Sequence, residues 1–247
     1  MRAVRAGAAV LVGLIMILAG CTAAPKTLTV LAAASLTESF DRIIEAYRVE
    51  HPDLEIRVSY GSSATLAGQI TSGAPADVFA SANESTMQTV IDAGGAKDPR
   101  VLATNILQIA VPAGNPGQVR GLDDFARTDL RLALCAEEVP CGKAAKELFD
   151  RAGVEPQPDS YETDVKATLQ KVQLGEVDAA LVYRTDVVAA GDQVIGLETP
   201  GAEKVVNTYK ISALSESQHG DEAAAFVDFV TSESGQAVLA EYGFGHG

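Results

Sequence analysis

The residues from Arg57 to Ala82, RVSYGSSATLAGQITSGAPADVFASA, constrain the fold more than any other stretch of this 247-residue chain. Alternation over Arg57–Tyr60 predicts a strand with Val58 and Tyr60 on one face. Gly61 breaks it, and Ser62 and Ser63 stand where the chain turns into a helix whose buried stripe carries Leu66 and Ile70. Gly73-Ala-Pro75 stops that helix, and Ala76–Ala80 reads as a second buried strand. Strand, helix and return strand form a βαβ unit with its hydroxyls at the carboxyl edge of the sheet. Open α/β folds bind ligands at that edge.

The first amides of a helix lack intrahelical partners and carry partial positive charge, so they hydrogen-bond anions. Ser63 adds a hydroxyl there, although Ser is also a favoured N-cap that needs no ligand. Ser35 poses the same choice. It follows the strand Leu28–Ala32 and precedes a helical face of Leu36, Phe40, Ile43, Ile44 and Tyr47. Ser35-Leu-Thr-Glu38 matches a capping box, which accounts for the serine without a ligand. An anion at this helix start requires Glu38 to point away from it.

Residues 1–20 read as a secretory signal: Arg2 and Arg5, an apolar run from Ala6 to Ala19, then Leu18-Ala-Gly-Cys21. The last four residues form a lipobox, so Cys21 is expected to be lipidated and to tether the mature protein outside the membrane. A permanent transmembrane anchor is the alternative, but the run is short for a span. Net charge is −14, and loss of the two arginines makes the mature chain more acidic, a poor partner for nucleic acid or anionic lipid. In an oxidising compartment the remaining cysteines, Cys135 and Cys141, are expected to form a disulfide; two buried free thiols are the alternative.

Strands alternate with helices throughout, which implies α/β layers with mainly parallel sheets. Two long strands, 102–112 and 207–214, suit crossovers between two lobes. Residues 26–104 and 207–247 then form the first lobe, and 105–206 the second. The chain has no G-x-S-x-G, H-E-x-x-H, C-x-x-C, EF-hand, Walker or dinucleotide motif. None of His51, His219 and His246 ends a predicted core strand. No enzyme activity, cofactor or direct metal ligand is expected. Binding machinery is visible instead. Helix starts fall at Ser35, Ser63, Cys141–Gly142 and Asp164–Val165, two per lobe, and Tyr183 ends a strand. Facing helix starts present donors and no acceptors, which suits a fully deprotonated oxyanion.

The runs VLAAASLT (30–37), SSATLAGQITSGAPADVFASA (62–82), VPCG (139–142), ETDV (162–165), ALVY (180–183) and YGF (242–244) resemble the molybdate-binding proteins of ABC importers. The resemblance covers the mature chain in order. It implies a type II periplasmic-binding-protein fold, a monomer whose two lobes close on molybdate or tungstate, and delivery to an importer permease. It also implies site roles: hydroxyl and N–H from Ser35 and Ser63, backbone N–H from Cys141 and Val165, and the phenol of Tyr183. The family usually has a small residue where this chain has Cys141. Lys143 and Arg184 stand beside these positions and are expected to be solvated charges. Binding of sulfate, phosphate or ferric ion (the last through Tyr60 and Tyr183) is the nearest alternative. An exported hydrolase or adhesion module is the remote one.

Overall fold

The computed structural model describes residues 26–247; the expected signal peptide and the lipobox cysteine Cys21 lie outside the described residues. Elements alternate along the chain. The first part comprises β1 (Lys26–Ala33), α1 (Thr37–Glu50), β2 (Leu54–Gly61), α2 (Ser63–Thr71), β3 (Val78–Ser81), α3 (Glu84–Asp92) and β4 (Arg100–Asn105). The middle comprises β5 (Leu107–Pro112), β6 (Leu132–Cys135), α4 (Pro140–Ala152), β7 (Ser160–Glu162), α5 (Val165–Gln173), β8 (Ala179–Tyr183), α6 (Arg184–Ala190) and β9 (Val194–Leu197). The chain ends with β10 (Asn207–Ala213), α7 (Gly220–Val230) and α8 (Glu233–Glu241).

Two five-stranded sheets result, ordered β2-β1-β3-β10-β4 and β7-β6-β8-β5-β9. The first therefore combines both ends of the described chain, and the second is built wholly from its middle. Each sheet is sandwiched between helices. Leu28, Val30, Phe40, Ile43 and Phe226 fill one face of the first sheet, and Leu66, Phe79, Met87 and Val90 the other. Leu107, Ile109, Leu134, Leu148, Leu169 and Leu181 form the core of the second. Ala34 and Ala64, from the first half, also pack against that second core, so the halves touch.

Two expectations meet a different outcome. The sheets are mixed rather than mainly parallel: four pairings are parallel and four antiparallel. The antiparallel ones all involve β10 or β5, the strands by which the chain enters a sheet from the other half. The apolar run 102–112 is also not one strand. Asn105 turns its own side-chain oxygen onto the N–H of Ile106 at 3.0 Å, removing that amide from any ladder. The chain leaves the first sheet there as β4 and enters the second as β5. The strand β10 likewise lies entirely within the first sheet, and the return crossing runs through 198–206, after β9.

The parallel order β2-β1-β3 aims the carboxyl ends of these strands one way. The N-termini of α1 and α2 lie at that edge. In the second sheet the parallel strands β7-β6-β8 do the same for α4, α5 and α6. Glycines make the tight turns at the site. A Cβ on Gly142 would fall 1.8 Å from the Ala136 carbonyl oxygen, so the β6–α4 turn tolerates no side chain there. Gly153 ends α4 in the left-handed region at φ 68°.

Candidate ligand-binding site

Ser35, Ser63, Cys141, Val165 and Tyr183, the five residues singled out in the sequence, line one cavity between the halves, with about 220 Å³ of empty space partly open to solvent. Each is presented by the end of a strand or the start of a helix, and local chemistry decides which groups remain available.

At α5 the N-cap is Asp164, whose Oδ1 accepts from the amides of Lys166 at 2.9 Å and Ala167 at 3.0 Å. The first intrahelical bond runs from Thr168 N–H to the Asp164 carbonyl at 3.2 Å. Only the Val165 amide is passed over, and Val165 lines the cavity. At α4, Pro140 has no N–H to satisfy, and the first helical bond runs from Lys143 N–H to the Val139 carbonyl at 3.0 Å. The Cys141 amide lies ahead of that bond. Its side chain is withdrawn into a disulfide with Cys135, as the cysteine spacing predicts, and the bond ties the helix start to the end of β6.

At α2 both serines are buried. Ser63 Oγ accepts from the Ala82 amide at 2.9 Å, which engages a lone pair and leaves its own O–H to donate. Asn207 Nδ2 donates to the Ala82 carbonyl at 3.1 Å, so both backbone groups of Ala82 are held. Ser62 is the N-cap, yet its hydroxyl makes no capping bond. Buried against the cavity, Ser62 Oγ has no hydrogen-bond partner among the described residues.

The capping box expected at Ser35 and Glu38 does not form, since α1 has no side-chain cap bond. Ser35 Oγ instead lies 2.7 Å from Tyr209 Oη, and Asn105 Nδ2 donates to that phenol at 3.4 Å. The Asn105 amide nitrogen can only donate. Either hydroxyl can donate across the 2.7 Å contact; with Tyr209 accepting from Asn105 and donating to Ser35, the Ser35 O–H is left for the cavity. Glu38 points away from the helix start, as an anion there requires. It reaches Lys166 on α5.

Tyr183 is 1% exposed, and its hydroxyl has no hydrogen-bond partner among the described residues. Burial pushes its pKa well above the ordinary tyrosine value, so the phenol stays protonated and donates. Tyr209 is shifted upward for the same reason. The two rings pack edge to face at 6.0 Å. A buried polar atom left unpaired costs free energy, so these orphaned hydroxyls call for a partner in the cavity.

Among the described residues no Lys, Arg or His lines the cavity. Lys143 and Arg184 stand aside, and Arg184 donates to the Gly243 carbonyl at 2.7 and 3.1 Å. That carbonyl belongs to the YGF run, whose Phe244 packs on Tyr209 with centroids 5.4 Å apart. Tyr60, invoked for ferric ion, donates to Asp41 at 2.7 Å and does not line the cavity. The residues that sequence reasoning missed are Asn105, Asn207 and Tyr209. Their one signal is alternation: Asn207 and Tyr209 lie two apart, on the same buried face of β10 as Ile211.

Two α/β halves joined by two chain crossings, with a donor-lined cavity between them, define a protein that captures a solute. The chain belongs to the bacterial extracellular solute-binding protein family, whose model matches residues 28–245. It is 37% identical over 227 residues to the molybdate-binding protein ModA of Mycobacterium tuberculosis, covering 92% of this chain and 87% of that one. Its structure is similar to that of the periplasmic molybdate-binding protein of Azotobacter vinelandii, with TM-score 0.77, 19% identity and coverage of 88% and 98% of the two chains. It is equally similar to the sulfate-binding protein SubI of M. tuberculosis, with TM-score 0.78, 19% identity and coverage of 89% and 86%. At those identities the likeness is one of fold, and the site chemistry must select the solute. Among the described residues no helix is long and apolar enough to cross a membrane.

Proposed function

We propose that this protein captures molybdate, and tungstate equally well in kind, between two lobes and delivers it to the permease of an ABC importer. The lobes are residues 26–104 with 207–247, and residues 105–206. Lipid on Cys21 tethers the protein to the extracytoplasmic face of the membrane, where it works as a monomer without turnover. The observation that carries the reading is the buried Tyr183 hydroxyl, without a hydrogen-bond partner among the described residues, at a cavity also lined by serine hydroxyls and helix starts. Five donor positions from both lobes match the ligand set that the sequence resemblance implies. The relationship to ModA adds to this reading.

The donor set selects by protonation and size. The one carboxylate at the cavity, Asp164, spends an oxygen on its own helix. The other lining groups that converge on the cavity are hydroxyls and helix-start amides, a donor-rich set that favours a fully deprotonated oxyanion over hydrogen phosphate. Sulfate is fully deprotonated but smaller, and a cavity framed by backbone closes poorly onto it. Calorimetry on ligand-free protein with molybdate, tungstate, sulfate, phosphate and ferric citrate tests the reading. One-to-one binding of the first two, with much weaker binding of the others, is expected. Sulfate affinity equal to that for molybdate would replace the assignment.

A further inference from the structure

Both carboxylate oxygens of Glu38, on the first turn of α1, accept from Lys166 Nζ at 2.9 and 2.8 Å. Lys166 is the second residue of α5. The bond thus starts three residues after Ser35, in one lobe, and ends one residue after Val165, in the other. It is the only ion pair between the lobes among the described residues. Glu38 makes no side-chain bond within its own lobe. Lys166 does have a partner at home: Asp186 Oδ1, fully buried on α6, lies 3.2 Å from its Nζ. Lys166 and Asp186 can thus stay paired in an open second lobe, and Glu38 joins only when the lobes meet.

We propose that Glu38 and Lys166 are positioning residues of the oxyanion site, forming a latch that holds Ser35 and Val165 at their bound separation and slows ligand release. The proposal rests on the binding function above. Lys166, between two carboxylates, is 24% exposed at its side chain and Glu38 38%, so the latch sits where water and salt still reach it. Lobe closure removes one long-range constraint from the ligand, because the ion pair holds the lobes while individual donor bonds break and re-form. Among the described residues the other side-chain hydrogen bonds crossing between the lobes, Arg184 to Gly243 and Asn105 to Tyr209, join residues next to the chain crossings.

Charge alone argues the opposite sign, which makes the proposal testable. Lys166 with two ionised carboxylates carries a net negative charge beside an anion site, so removing the Glu38 charge relieves repulsion and favours binding. The latch predicts instead that Glu38→Gln releases ligand faster. Stopped-flow kinetics with molybdate should give dissociation about fivefold faster in Glu38→Gln at low salt, the scale of a partly exposed ion pair, with association no slower. High salt should bring the wild-type rate toward that of the variant and leave the variant unchanged. Glu38→Asp, shorter but charged, should lie between them. The melting temperature of the ligand-free protein should not move, because Glu38 bonds only across the cleft. Unchanged or slower dissociation in Glu38→Gln overturns the latch.

A ligand-independent arm separates this idea from the molybdate assignment. Val49 and Leu174 are exposed on α1 and just after α5, one in each lobe. Spin labels at Val49→Cys and Leu174→Cys report lobe separation by dipolar spectroscopy. A short-distance population that shrinks in Glu38→Gln supports the latch even if no oxyanion binds the wild-type protein. Identical distance distributions in the two proteins count against it.

Discussion

Ser35 Oγ and Tyr209 Oη lie 2.7 Å apart, joining the first helix start of the described chain to the strand that re-enters the same sheet 174 residues later. The phenol is itself held by Asn105 and by the ring of Phe244. The bond makes Tyr209 an orienting group for a ligand donor without being one. Tyr209→Phe should therefore weaken molybdate binding by about 1 kcal/mol, the usual worth of one hydrogen bond. Ring packing is kept, so the loss should fall on affinity more than on stability. Titration calorimetry beside thermal melts of the ligand-free protein checks the split.

The adjacent serines of α2 should separate in the same pair of measurements. Ser63→Ala strands the buried Ala82 amide, which should cost ligand-free stability about 1–3 kcal/mol, and it removes a donor worth about 1.5–3 kcal/mol to a charged ligand. Ser62→Ala removes a hydroxyl with no hydrogen-bond partner among the described residues, so ligand-free stability should hold or rise. A Ser62→Ala protein that melts well below wild type would mean that the hydroxyl already has a partner in the ligand-free state.

Reduction of the Cys135–Cys141 bond should lower stability by about 2 kcal/mol on the chain-entropy estimate for so short a loop. The larger consequence is local. The disulfide holds the Cys141 amide at the cavity before ligand arrives, and ordering it on binding has its own cost. Cys135→Ser and reduced wild-type protein should both release molybdate faster. Equal release rates before and after reduction, with cleavage verified by mass spectrometry, would remove preorganisation from the account.

Asp186 governs an acid-side pH dependence. Burial pushes its carboxyl up to about 6, against the opposing pull of Lys166 and of the Tyr183 amide, which donates to it at 3.1 Å. The ordinary value is 3.8, so the folded state binds this proton more tightly than the unfolded chain. The contribution of Asp186 to stability is then greatest below pH 4 and falls as pH rises through 6, by roughly 1–3 kcal/mol. Salt-bridged carboxylates such as Glu55 and Asp129 are shifted downward and act in the opposite direction. The difference between wild type and Asp186→Asn isolates the one group. Urea midpoints at pH 4.5, 5.5 and 6.5 should show the wild type losing ground to the variant as pH rises.

The sequence by itself determined the parts whose physics is local. Gly61-Ser-Ser63 turning a strand into a helix, Asp164 capping α5 so that Val165 N–H is passed over, and two cysteines six apart in a short turn are all settled within a few residues. These features placed Ser35, Ser63 and the helix starts at Cys141 and Val165; the ligand roles of Val165 and Tyr183 came only from the resemblance to the molybdate-binding proteins, and all five residues line the cavity. Tertiary structure decided what sequence spacing does not encode. Ser35 and Glu38 carry a capping-box signature, yet each finds a better partner far along the chain, Tyr209 and Lys166. The apolar run 102–112 reads as one strand until Asn105 caps the next amide and sends the chain into the second sheet. Asn105, Asn207 and Tyr209 acquire their roles only when β4 and β10 pair, because a buried polar group takes whichever partner the packed fold brings within reach.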